Sequence, residues 1–165
     1  MLPFARLLFI LLLMAGAVLI GVTVDRLPEQ IASHFGAHGV PNGWMTRDGY
    51  RLFMLALAFG LPLVVVVSMA VLPRRFSMGV NIPHREFWLA PARRETTLRY
   101  LEAHAYWLGS LLVVFIIAIH WLLFVANATQ PPNLPLPPFV LLMVSFLVGL
   151  GIWAVTLLRH FRHQR

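Results

Sequence analysis

The sequence predicts an all-α integral membrane protein, a four-helix bundle with both termini cytoplasmic, one outer loop and one basic inner loop. Three observations predict it. Charged residues are only 12% of the chain and hydrophobic ones 59%, where an ordinary soluble domain carries about 25% charged residues. The apolar residues gather into four runs, 7–24, 52–72, 105–127 and 138–158, none with an Asp, Glu, Lys or Arg. Each approaches or exceeds the roughly 20 residues that cross a bilayer core as a helix. The cations, all thirteen of them arginine, are unevenly placed. Arg74, Arg75, Arg85, Arg93, Arg94 and Arg99 follow the second run, Arg159, Arg162 and Arg165 follow the fourth, and Arg6 precedes the first. Cytoplasmic segments near helix ends are enriched in such residues. In the loop after the first run, Arg26 and Arg47 are balanced by Asp25, Glu29 and Asp48, and the loop after the third run is uncharged.

The first run opens behind Arg6 and contains Ala15-Gly16-Ala17, which resembles a signal peptide with a small-residue cleavage site. Its apolar stretch continues to Val24, a length that favours an uncleaved anchor; cleavage would leave three spans and an outer N-terminus. The second run contains Pro62, which removes a hydrogen bond to the Ala58 carbonyl and predicts a kink near residues 60–62. None of the runs shows the period-2 alternation of a membrane barrel strand.

The third run contains His120 beside Trp121. An ionisable group in a span raises a functional hypothesis, but the nearness of the helix end favours an interfacial anchor. His104 and Trp107 mark the inner end. Before the fourth run, five prolines between Pro131 and Pro138 predict a stiff, extended outer linker without helix. Asn127-Ala128-Thr129 matches a glycosylation pattern, discounted because it abuts the membrane. Gly149 and Gly151 are too close for a GxxxG face.

Two polar loops remain. In the inner loop, residues 77–83 are turn-rich. From Ala92 onward, Leu98, Leu101, Ala105 and Leu108 form one helical stripe, and Glu95 and Arg99 are a candidate i, i+4 ion pair. The third helix is therefore expected to begin in the cytoplasm as an amphipathic extension. Phe87, Trp88 and Leu89, flanked by Arg85 and Glu86, suit a segment on the headgroups or a partner-docking site. In the outer loop, residues 27–35 are expected as a short extended or helical piece and residues 39–44 as a turn. Asn42-Gly43 would supply its left-handed position, with Trp44 at headgroup level. Glu29, His34 and His38 are candidate metal ligands, since His34 and His38 have the i, i+4 spacing of a zinc-binding helix. Gly36 between them and Gly39 after them work against that helix. The expected division is 1–72 as a helix–outer loop–helix domain, 73–103 as the basic loop with its helical extension, and 104–165 as the second hairpin and tail.

The outer loop resembles the domain of unknown function 1648. Leu27-Pro28, Ile31, His34-Phe35, Gly39, Pro41, Gly43 and Trp44 fall on its pattern, while Asn42, Thr46 and Arg47 stand where the family tends to have Asp, Ser and Lys. His38 is not part of the pattern. The resemblance spans about residues 7–72. Asn81-Ile82-Pro83 and Trp88 also look like the second half of small four-helix members. The family implies a helix–loop–helix plan and no catalytic residues. Related proteins of the SdpI type confer immunity to a secreted peptide toxin and relay its presence to a regulator, on a longer helical chain.

Function follows in outline. The net charge of +7 is accounted for by topology and by contact with anionic headgroups, so no nucleic-acid partner is expected. With no cysteine, disulfides and thiolate ligands are excluded. No nucleophile–base motif or phosphate loop is present. The leading expectation is a non-enzymatic, multi-pass protein of the bacterial inner membrane, without cofactor. His34, Phe35, Pro41, Gly43, Trp44 and Arg47 would bind a peptide, lipid or protein at the outer face. Arg85, Glu86, Trp88, Arg93 and Arg94 would dock a cytoplasmic partner. The alternatives are metal or proton handling through His34, His38 and Glu29, with His120, and an accessory subunit of a larger membrane complex.

Overall fold

The computed structural model describes residues 2–76 and 80–162. Residues 77–79 of the expected inner turn and Arg165 of the basic tail lie outside the described residues. Helix α1 is Leu2–Val24. Strands β1 (Gln30–Phe35) and β2 (Pro41–Thr46) form an antiparallel ribbon. Helix α2 is Arg47–Val66; a π-helical turn, Val67–Val71, and the short α3, Leu72–Phe76, continue it. Helix α4 is Arg85–Trp88, α5 is Pro91–Asn127 and α6 is Leu136–Arg162. Four helical stretches are long and apolar enough to cross a membrane: 2–24, 47–76, 91–127 and 136–162.

Helix α5 is central, with α1, α2 and α6 packed on it. The contacts form three layers. Ile20, Val24, Ile31, Tyr50, Met54 and Ile116 fill the outer one. Phe9, Val66, Ala70, Ala105 and Val113 fill the middle. Val80, Leu98, Leu101 and Phe161 fill the inner one. Because lipid tails are as apolar as leucine, such helices associate by close packing. Gly109 illustrates this: a Cβ there would stand 2.8 Å from the Phe9 ring. Leu7, Leu11, Met14 and Val18 on α1, and Leu141, Val144, Val148 and Ile152 on α6, are exposed. Those faces have the chemistry of lipid contact.

Several expectations change in detail. The outer loop is a ribbon with Ile31 opposite Met45, Ala32 opposite Trp44 and His34 opposite Gly43. Asn42-Gly43 lies inside β2 and is not the turn. The chain reverses at residues 36–40, closed by the Gly36 N–H donating to the Val40 carbonyl (2.9 Å). Gly39, at φ 74°, takes the left-handed position that a β-carbon disfavours. Thr46, the last ribbon residue, caps α2 by accepting the Gly49 N–H at 3.2 Å, so no linker separates ribbon from helix. Helix α2 includes the buried Pro62 in its interior, and a π turn follows it at Val67–Val71.

The proline-rich linker also ends earlier than expected. Helix α6 starts at Leu136, with Pro137 and Pro138 inside it. The first turn has no intrahelical acceptors for its N–H groups, so proline is tolerated there. The inner extension of α5 is present as expected. Pro91 stands in the first turn, and Leu98, Leu101 and Ala105 are buried along one stripe.

Candidate functional site

The outer site is built on a polar seat. His120 is fully buried, where the sequence favoured an interfacial anchor. On its helix it faces inward, toward α1 and α2. The Thr23 hydroxyl donates to the Leu19 carbonyl at 2.6 Å. Its single proton is then committed, so at the 2.7 Å contact it accepts from His120 Nε2–H. Nδ1 is left to accept the Tyr50 hydroxyl at 2.9 Å. The three groups thus form a satisfied chain that ends in a backbone carbonyl. Buried polar groups in a span need such partners.

About two helical turns further out, Asn127 reads the ribbon as a neighbouring strand would. Its Oδ1 accepts the Ala32 N–H at 2.8 Å, and its Nδ2 donates to the Ala32 carbonyl at 3.0 Å. Nδ2 also lies 2.9 Å from the Leu123 carbonyl, on its own helix. A second clamp sits at the ribbon tip, where the Leu134 N–H donates to the Gly39 carbonyl at 2.9 Å. At the ribbon base, the Arg47 N–H donates to the Glu29 carbonyl at 2.9 Å, and Asp25 pairs with Arg51 across α1 and α2. The ribbon is therefore held at tip, middle and base.

On this frame His34 is exposed in β1 and Trp44 is 53% exposed in β2. Phe35, Pro41, Gly43 and Arg47 are half-buried. Gly43 leaves room for His34: a Cβ there would stand 3.0 Å from that of His34. The helical frame that gave His34 and His38 metal-ligand spacing is not formed, since His34 is in β1 and His38 is in the reversal. Among the described residues no group of three His, Cys, Asp or Glu side chains is placed to hold a metal, so the structure does not gather Glu29, His34 and His38.

The inner end carries a second constellation. Glu102 of α5 is buried and receives Arg6 from α1 and, at 3.0 Å, Arg74 from α3. Arg74 also reaches Glu95 at 3.2 Å, and Glu95 pairs with Arg99 at 2.9 Å, the expected i, i+4 bridge. Beside this network lies a cleft of about 790 Å³ lined by Arg85, Glu86 and Arg94, among others. The other two expected inner residues are placed differently. Trp88 packs edge-on against Phe161 and beside His160 of α6. Arg93 lies over the Phe87 ring, 4.1 Å from its centre.

Sequence reasoning missed Thr23, Tyr50, Asn127 and Glu102. Asn127 was read only as part of a glycosylation pattern. The available signal was its position: a lone amide at the end of an apolar run, next to a segment whose backbone needs partners. No curated protein and no solved structure matches the chain. Residues 7–66 are matched by a family model. That stretch ends on the last residue of α2, whereas Asn127, which holds its ribbon, and His120, which bonds Thr23 and Tyr50 of its helices, lie outside it. The model that matches this stretch of α1, the ribbon and α2 is that of the domain of unknown function DUF1648, to which this part of the chain is similar.

Proposed function

We propose that the protein is a non-enzymatic, multi-pass protein of the bacterial inner membrane whose outer ribbon binds a peptide, lipid or protein partner. The observation that carries this reading is the clamping of β1 by Asn127 at Ala32. A ribbon held this way presents His34 and Trp44 in fixed positions, and recognition sites work best when their frame is rigid before the ligand arrives. The rival reading, proton handling through His120, is disfavoured by the chain of bonds that ends at the Leu19 carbonyl. Immunity or signal relay of the SdpI type is a finer form of the proposal. It is favoured by α5, a single helix bonded to the ribbon at Asn127 and to the arginine network at Glu102.

The test is site-specific photocrosslinking in the native membrane, with a photoreactive residue at position 44 and a control at the lipid-facing Leu61. A discrete adduct at 44, absent at 61 and reduced about tenfold by His34→Ala, is expected. Equal adducts at both positions, or no effect of His34→Ala with the protein still in the membrane, would sink the outer-site reading.

A further inference from the structure

The inner cleft has two chemistries in one space. Pro73, Val80, Leu89 and Leu98 make an apolar floor, and Arg85 and Arg94 stand at its rim. Glu86 is also there, so the rim keeps one net positive charge. Depth in the membrane follows from the sequence. Pro73 is the first residue past the apolar run 52–72, and Arg74 beside it belongs to the charged network. The floor thus starts at the edge of the hydrocarbon and the rim stands on its polar side.

A second, separate cavity of about 200 Å³ borders the cleft at Pro73 and Val80 and is lined further by Ser68, Met69, Asn81 and Leu157. It runs beside the π turn into the depth of the spanning helices. A basic cleft bordered by a small, mostly apolar crevice suits neither a soluble anion, which needs no crevice, nor a neutral lipid, which needs no basic rim. Basic pockets between spanning helices on the cytoplasmic side are a known form of anionic-headgroup site.

We infer that the inner cleft holds one anionic phospholipid, its phosphate at the Arg85 and Arg94 rim and an acyl chain running past Pro73 and Val80 into the crevice. This goes beyond the outer ribbon's binding role and does not depend on it. The lipid would wedge α3 and α4 against α5 and so tie the inner loop to the membrane face.

The test is native mass spectrometry of the full chain, released in mild detergent and titrated with phosphatidylglycerol or phosphatidylcholine of the same acyl chains. Retention of phosphatidylglycerol should saturate at one per chain and be roughly fivefold tighter than that of phosphatidylcholine, given what one net positive charge near a surface contributes. Arg85→Gln with Arg94→Gln should erase the preference, and the corresponding lysine pair should keep it. Arg159→Gln with Arg162→Gln, at the end of α6, should leave it unchanged. Equal retention of the two lipids, or uptake that rises past one without a plateau, overturns the inference in the unaltered protein alone, whatever the variants do. An equal loss in the α6 variant assigns the preference to the basic belt at large. Displacement by glycerol phosphate at lipid concentrations makes the ligand a free phosphate, and displacement by an acidic peptide makes it a protein segment.

Discussion

His120 contributes two hydrogen bonds at the centre of three helices, and its neighbours inherit the cost of removing it. His120→Leu leaves the buried Tyr50 hydroxyl without an acceptor and Thr23 without a donor. An orphaned buried group costs about 1–3 kcal/mol in water-soluble proteins, but hydrogen bonds within membrane bundles average about 0.6 kcal/mol. A net loss of about 1–2 kcal/mol is therefore expected for His120→Leu. Thr23→Val should lose less than half of that, because it gives up the contact to His120 while Tyr50 keeps its own. Unfolding titrations in mixed micelles measure both, and a larger loss for Thr23→Val would show that the bond order through the ring is wrong. Asn127→Leu strips partners from both backbone groups of Ala32. Faster hydrogen exchange at the Ala32 amide, by about tenfold or more, is expected, with the spanning helices unchanged. His120 was visible in the sequence as the one histidine in the apolar runs, yet its direction was not. A helix with apolar residues all round carries no stripe to say which side faces protein.

The ribbon and the inner network show how elements are joined. Gly39→Ala places a Cβ 2.6 Å from the Leu134 carbonyl oxygen, at a φ of 74°. Such a clash with backbone, added to about 1–2 kcal/mol for the left-handed conformation itself, should free the tip from the linker to α6. Crosslinking or exchange at Leu134 reads this out, and an unchanged Leu134 amide would show that the tip clamp is dispensable. At the inner end, Glu102→Gln leaves Arg6 and Arg74 without their shared carboxylate. The arginines are 50% and 35% exposed, so water absorbs part of the loss. About 1–2 kcal/mol is expected, between the ranges for exposed and buried ion pairs, and it should shrink in high salt. The i, i+4 pair of Glu95 and Arg99 was legible in the sequence because both lie on one helix. The Glu102 cluster was not, since Arg6 is 96 residues away in the chain.

At the scale of the molecule, the arginine distribution predicts a sided protein with both termini on the cytoplasmic face. The absence of native cysteine makes this directly measurable. A cysteine at Trp44, which is exposed on the ribbon, should react with a membrane-impermeant maleimide added outside intact cells. One at the exposed Arg85 should react only after the membrane is opened. The reverse pattern would mean that the chain sits the other way up.

What the sequence determined by itself was the number of spans, their approximate limits, the amphipathic start of α5 and the outer motif. These properties are local: run length, charge near helix ends and residue order are all present in a linear string. Only the tertiary structure decided that the outer loop is a ribbon clamped to the far helix. The same holds for His120 as an interior node, for Arg6 and Arg74 sharing one carboxylate, and for a crevice lying next to the inner cleft. Each of these depends on which face of one apolar helix meets another. Between such helices the hydrophobic pattern is nearly silent, and selection rests on close packing and a few polar groups brought together from distant parts of the chain.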